Sequence, residues 1–257
     1  MAHWTAFPYA GEYNFDAKSV KTHWARLHAG DLEPLPQDAK LLNAWAKFHN
    51  GEFQKATVEG LNLGLAGLNV ANKATCVYAN YLEKHEACRL EMFLDVAKRA
   101  EQQINQDPDN VNAYYWHAYA LGRYSQGLSV AKALAQGIGN TVKTNLETVI
   151  KRQPNHVDAH IALGAFHAEV IDKVGSLIGA MAYGAHRDTG MNLFDQALKL
   201  QAASAAGMIE YAHAMLMLDG EKMMSEANRL YQLAAGAQPV DAMEHLDMEM
   251  ARTELTD

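Results

Sequence analysis

The sequence predicts an all-α fold, a right-handed α-α solenoid of about 12 helices in which helix pairs stack along the chain. Two observations predict it. Apolar residues recur at helical spacing in long stretches rich in Ala, Leu, Lys, Glu and Gln, and only 6 prolines interrupt 257 residues. In addition, short sequence patterns recur along the chain, as in proteins built from stacked helical units. A sheet protein of this length would need more turn residues.

The composition limits the classes of function. Hydrophobic residues make up 49% of the chain, enough for a substantial core. The formal net charge of −8 argues against nucleic acid as the partner. No apolar run reaches the ~20 residues that span a bilayer, and no basic and then apolar leader opens the chain. We therefore expect a cytoplasmic protein without nucleic-acid binding or membrane insertion.

The first 37 residues are predicted to form an arm and one helix. Aromatic residues are scattered through residues 4–15 without a helical period, so we expect them to pack on the first helices. Contact with a second copy of the chain is the alternative. Asp16 is a suitable N-cap for a helix that ends near Gly30. The two prolines of residues 31–36 then exclude a helix from this linker.

Residues 38–257 are predicted to form one continuous domain of helical repeats. Residues 108–113 match residues 154–159 in the pattern Pro-x-x-Val-x-Ala, at an offset of 46 residues. The first helix of the second match carries the pair Leu163-Gly164, whose small glycine lets two helices approach closely. Near the C-terminus, a second helix is indicated by the spacing of Ala227, Tyr231, Ala234 and Pro239.

These patterns resemble the tetratricopeptide-repeat superfamily, including bacterial members of it. The offset of 46 residues exceeds the usual period of about 34, so two repeats are lengthened. Helical arrays with such insertions are also similar, more weakly, to the T-component of TRAP-type transporters and to regulator-of-microtubule-dynamics proteins. The resemblance implies a scaffold that has no enzymatic activity, needs no cofactor and binds a protein or peptide in a concave groove.

The two lengthened repeats contain insertions at residues 125–139 and 172–190. Both are apolar, rich in small residues and nearly uncharged. We expect each to form a short extra helix or a tight loop. Small residues allow close backbone packing, but they also leave room for a ligand. The alternative function is therefore a small-molecule binder whose pocket is lined by these two insertions.

Three histidines, His156, His160 and His167, lie near one another on a helical wheel. A spacing of four residues can chelate a metal ion, and a metal-dependent hydrolase is a further alternative. However, these are packing positions of the repeat, and no Glu follows His156 as in zinc proteases. We therefore predict no metal site and no catalytic residues. The chain also lacks a nucleophile elbow, a phosphate-binding loop and a dinucleotide fingerprint.

The binding site is predicted from two charged residues in apolar helices. At the 46-residue offset, Arg123 takes the position of Glu169, and charges in such segments usually have a partner. Equivalent positions of adjacent repeats lie side by side, so we predict that the two residues pair across the groove. An ion pair that only joins two repeats is an equally good interpretation. The remaining predicted site residues are Tyr124, Asp172, Lys173 and Tyr183.

The last helix, predicted for residues 240–255, is expected to cap the stack, because terminal repeats need a polar outer face. Its period places Ala242, Leu246 and Met250 toward the core. The same period directs the acidic residues mostly outward: Asp241, Glu244, Asp247 and Glu249. The sequence does not settle whether the protein associates with itself.

Overall fold

The computed structural model describes residues 4–256, and within that range it contains helices, turns and no strand. The predicted all-α fold is therefore confirmed, while the handedness of the stack stays a prediction. Two short 3-10 helices, Gly64–Gly67 and Gly220–Met223, join longer helices. The described α-helices are α1 Ala17–Leu27, α2 Ala39–His49, α3 Phe53–Asn62, α4 Leu68–Tyr81, α5 Glu86–Gln106, α6 Val111–Gln126, α7 Val130–Ala135, α8 Ile138–Arg152, α9 Val157–Tyr183, α10 Arg187–Leu200, α11 Ala205–Asp219, α12 Met224–Ala235 and α13 Ala242–Glu254.

The chain divides into two compact units, each assembled from separate stretches of sequence. The first unit comprises the residues up to His28 together with Leu32–Leu128 and Val240–Met243. The second unit comprises Ala29–Asp31, Ser129–Pro239 and the residues from Glu244 onward. The predicted division between an arm of 37 residues and one repeat domain stays a prediction.

In the first unit, α4 is the central helix. It packs against α2, α3, α5 and α6, and every residue from 69 to 79 is buried. The N-terminal arm packs on the same unit, as the sequence predicts. Trp4 stacks on Tyr78 with ring centroids 4.1 Å apart, and the buried Phe7 meets Phe53 edge-on. Asp16 caps α1 by accepting a hydrogen bond from the Ser19 backbone N–H, which confirms the predicted N-cap.

The residues around the start of α13 correct one prediction. Ala242 and Leu246 are buried as expected, but Asp241 and Asp247 are also buried, although the helical period directed them outward. Asp241 is buried because it has a partner in α2: its Oδ2 lies 2.7 Å from Nδ1 of His49. A buried carboxylate is tolerated when it is hydrogen-bonded in this way.

In the second unit, the predicted close approach of two helices is confirmed at Gly164. A Cβ atom placed on Gly164 in α9 would lie 2.8 Å from Cε2 of Phe194 in α10. The Phe194 ring is fully buried and stacks on Tyr211 of α11, with centroids 4.9 Å apart. Glycine is therefore the residue that lets α9 and α10 pack at this distance.

The helix pair α11–α12 confirms the spacing pattern near the C-terminus. Ala227, Tyr231 and Ala234 are buried in one apolar cluster of the second unit. The Tyr231 hydroxyl is itself buried without a hydrogen-bond partner. Burial, followed by the nearby carboxylates of Glu254 and Glu210, raises the pKa of Tyr231 to about 12.

The two matching segments begin helices in the same way. Asn110 caps α6 by accepting from the Ala113 backbone N–H, and His156 caps α9 by accepting from the Ala159 N–H through its Nδ1. Both alanines are fully buried. The repeated Pro-x-x-Val-x-Ala pattern thus marks the start of a capped helix. The residue before the valine is the N-cap, an asparagine in the first match and a histidine in the second.

Both insertions contain a short helix. Residues 125–139 contain α7, in agreement with the prediction. In residues 172–190 the helical path of α9 is interrupted at Gly175, whose φ of 79° and ψ of 158° are not helical. Residues 176–183 therefore form a short helical segment of their own, which ends at Gly184 in the left-handed conformation and also agrees with the prediction.

Candidate binding site

Helix α4 carries a polar stripe through the core of the first unit. Asn69, Asn72 and Thr75 follow one another at intervals of three residues, and each is at most 5% exposed. The adjacent helix α5 carries Arg99 and Gln103 four residues apart, on the face toward α4. Buried polar side chains destabilise a fold unless they are hydrogen-bonded, so this stripe needs partners.

Two polar bridges join α4 to α5. Gln103 donates from Nε2 to Oδ1 of Asn69 at 2.9 Å. One turn away, Arg99 donates from Nε to Oδ1 of Asn72 at 3.0 Å and from Nη2 to the Thr75 hydroxyl at 3.1 Å. Apolar side chains could not make these hydrogen bonds. The two bridges therefore require a guanidinium and side-chain amides at these positions.

The side-chain amides of Asn69 and Asn112 form what we call the amide site. Both donate from Nδ2 to the carboxylate of Glu33: Asn69 reaches its two oxygens at 3.0 and 2.9 Å, and Asn112 reaches Oε2 at 2.6 Å. Trp24 holds the backbone of the same residue by donating from Nε1 to the Glu33 carbonyl at 2.8 Å. A segment without helical structure therefore places a carboxylate on residues of α4 and α6.

The polar stripe has hydrogen-bonding capacity beyond these contacts. Nδ2 of Asn72 and Oε1 of Gln103 are buried and have no hydrogen-bond partner. An unsatisfied buried donor or acceptor costs about 1–3 kcal/mol, so such atoms are uncommon in a stripe that serves packing alone. One donor and one acceptor on neighbouring bridges are thus available to another polar group.

Positive charge surrounds the polar stripe. Burial lowers the pKa of Arg99, although Cys76 and Asp95 favour its charged form. Lys73, which is 2% exposed, places Nζ 5.2 Å from the centre of the Phe48 ring. The half-buried Arg99 and the buried Lys73 thus lie on the two helices that carry the stripe and its bridges, where they favour an anion, and Glu33 supplies one from within the chain.

The residues predicted for the site from sequence lie in both units. In the first unit, Arg123 and the half-buried Tyr124 end α6, where the Arg123 guanidinium lies over the Tyr119 ring at 5.3 Å. In the second unit, Glu169 and Lys173 face each other on α9, with Nζ and Oε2 3.9 Å apart. The pairing of Arg123 with Glu169 stays a prediction.

The remaining predicted residues lie where α9 extends beyond its bend or just before it. Asp172 is exposed, and Tyr183 is half-buried with its ring against Gly139. A Cβ atom on Gly139 would lie 2.5 Å from Cε1 of Tyr183, so the ends of the two insertions touch. Near the tip, Leu177 and Met181 are 74% and 81% exposed. A pocket lined by the two insertions stays a prediction.

The three histidines proposed as an alternative metal site have structural contacts. Nδ1 of His156 accepts the N-cap hydrogen bond, and Nδ1 of His160 lies 2.9 Å from the His156 carbonyl. Nδ1 of His167 accepts from the His186 backbone N–H. Burial, followed by the charges of Lys143 and His186, lowers the pKa of His167 to about 4. Within residues 4–256 no three His, Cys, Asp or Glu side chains are arranged to hold a metal ion.

Sequence reasoning missed the amide site entirely. The available signal was the polar group Asn69, Asn72 and Lys73 inside a helix that is otherwise apolar and central. Polar residues at core positions are exceptions to binary patterning and often mark function. The contribution of Glu33 and Asn112 could not be inferred, because their contacts with α4 depend on tertiary structure.

Comparison with known proteins agrees with the helical fold. The family described as Regulator of microtubule dynamics protein 1-3 matches residues 67–174, which is less than half of the chain. In the first unit this range includes α4, α5 and α6, and therefore the amides and the bridges described above. No curated protein matches the chain. None of the described helices is long and apolar enough to cross a membrane.

Proposed function

We propose that the chain is a non-enzymatic helical-repeat scaffold, of tetratricopeptide type, that binds a protein or peptide through the first unit. The observation that supports this function most strongly is the amide site. Asn69 and Asn112 already hold a non-helical, carboxylate-bearing segment of the chain itself. A surface that can hold one such segment has the chemistry to hold another.

Several features are consistent with a binding role. The polar stripe has unsatisfied buried atoms at Asn72 and Gln103, and it lies in the range that resembles a family of regulators. We expect the partner to be a protein or peptide in the cytoplasm, because the net charge of −8 disfavours nucleic acid.

A peptide array probed with labelled protein tests this function. We expect the array to yield peptides whose affinity falls by about tenfold or more in Asn112→Ala, since each charge-assisted hydrogen bond is worth about 1.5–3 kcal/mol. Asn192→Ala, at an exposed position of α10, is the matched control and should bind like the wild type. Thermal melts must show that both variants are folded. An array without any binding peptide would contradict the proposed function.

A further inference from the structure

Residues 32–37 form what we call the strap, a surface segment of the first unit. They follow α1 and precede α2, contain two prolines and have no regular secondary structure. The strap begins at Leu32, whose φ of 47° is the one positive value among the described residues other than glycine. Pro34, Leu35 and Gln37 are exposed. Half of the strap is therefore exposed, and none of its residues belongs to a helix.

The contacts of the strap concentrate on one residue. Glu33 receives three hydrogen bonds from the side-chain amides of Asn69 and Asn112, and its carbonyl receives one from Trp24. Side-chain donors that hold a carboxylate, together with a hydrogen bond to a backbone carbonyl of a non-helical segment, are contacts that a peptide partner can also make. The strap makes both of them within the same chain.

We propose that the strap is an internal ligand that occupies the amide site until a partner displaces it. The partner is an extended peptide segment that places the carboxylate of a Glu or Asp between Asn69 and Asn112. This inference rests on the proposed function and adds both the chemistry of the partner and a form of regulation, because Glu33 competes with it.

Tethering makes the strap an effective competitor. A group joined by a short linker reaches its site at an effective concentration in the millimolar range, so it is bound most of the time even if its intrinsic affinity is weak. The apparent affinity of a partner is then reduced by the fraction of molecules in which the site is open. Removing the Glu33 carboxylate should therefore raise the apparent affinity of the partner.

The charges around the amide site select the class of partner. Arg99 is hydrogen-bonded to the stripe, and Lys73 is buried on the same helix as Asn69. These cations favour a carboxylate over a neutral side chain, while planar amides match the two oxygens of a carboxylate. We therefore expect peptides with Glu or Asp to bind and the corresponding amides to fail.

A synthetic peptide with the sequence of residues 31–37, Asp-Leu-Glu-Pro-Leu-Pro-Gln, provides the probe. Its affinity is measured by fluorescence polarisation for the wild type and for Glu33→Ala. We expect at least about tenfold tighter binding to Glu33→Ala, in which the internal competitor is absent. A peptide with Gln in place of its Glu and Asn in place of its Asp should not bind, and adding Asn112→Ala to Glu33→Ala should abolish binding.

Equal affinity for the two proteins, or binding that ignores the glutamate of the peptide, would overturn the inference. If Glu33→Ala is unstable, Glu33→Gln keeps the size of the side chain and should also bind the peptide more tightly than the wild type. Array peptides that bind the wild type and Glu33→Ala equally would reject the internal ligand but leave the scaffold function standing. Failure of every peptide with every folded variant would reject both.

Discussion

Helix pair α4–α5 is joined by hydrogen bonds between polar side chains, whereas helix pair α9–α10 is joined by close apolar contact. In the first pair, Asn72 and Arg99 meet through a 3.0 Å hydrogen bond. In the second, Gly164 admits the buried ring of Phe194, and Val157, Ala168 and Ala197 complete the cluster. Both arrangements fill the space between two long helices, each within its own unit.

The difference shows which residues are needed for folding and which are available for function. Apolar packing stabilises a helix pair without any polar partner. Polar bridges contribute little net stability, and they leave unsatisfied atoms at Asn72 and Gln103. A helix pair that has polar residues where apolar residues would hold the helices together equally well is the better candidate for binding.

The largest effect is expected at Gly164. In Gly164→Ala, the new Cβ would lie 2.8 Å from the buried Phe194 ring, so the variant should lose about 1–3 kcal/mol of unfolding free energy. Gly122→Ala is the matched control, since no atom lies within 4 Å of its Cβ position in α6. It should be neutral or gain up to about 1 kcal/mol. Urea denaturation measures both, and equal effects would contradict the close packing described for α9–α10.

A double-mutant cycle at Asn72 and Arg99 should give the next largest effect. Asn72→Leu or Arg99→Leu alone leaves a buried partner without its hydrogen bond and should cost about 1–3 kcal/mol. The double variant should lose at least about 1 kcal/mol less unfolding free energy than the sum of the two single losses. In the double variant, two apolar side chains pack together and neither is left without a hydrogen bond. If the two losses measured by urea denaturation simply add, Asn72 and Arg99 are not energetically coupled, which would contradict the polar bridge.

Acid should weaken the fold through His167. Its pKa is about 4 in the fold, against 6.5 for an ordinary histidine, so the unfolded chain binds the proton first. The neutral His167 side chain makes its full contribution to the free energy of unfolding above pH 6.5. This contribution, about 1–3 kcal/mol, is lost as the pH falls toward 4. In His167→Gln the drop in melting temperature between pH 7 and pH 5 should be smaller. The exposed His23→Gln should retain the wild-type drop.

The smallest effect is expected at the tip of α9. Met181 and Leu177 are largely exposed, so Met181→Ser and Leu177→Ser should change the free energy of unfolding by less than about 0.5 kcal/mol. Urea denaturation checks this expectation. A larger loss would mean that these side chains are covered in the folded protein in solution.

The fold was predictable from local signals. The start of α9 follows from its proline, its capping residue and Val157, and the approach of α9 to α10 follows from the pair Leu163-Gly164. Such signals work because helix capping and glycine packing depend on a few consecutive residues. The burial of Asp241 was mispredicted, since its partner His49 is 192 residues away in the sequence.

The amide site was not predictable, for the same physical reason. Asn69 can be noticed as a polar residue in an apolar helix, but Glu33 and Asn112 become its partners only after the chain has folded. Charges at equivalent repeat positions point to Arg123 and Glu169 instead. Neutral amides carry no such charge pattern, so it does not reveal Asn69 or Asn112.

Side-chain amide NMR of protein labelled with 15N-asparagine detects directly whether a peptide occupies the amide site. The probe is the peptide of residues 31–37, added to Glu33→Ala. We expect the Nδ2 resonances of Asn69 and Asn112 to shift on titration, while that of the exposed Asn192 stays unchanged. Unchanged resonances of Asn69 and Asn112 during saturable binding would contradict the proposed site, because the peptide would then occupy another surface.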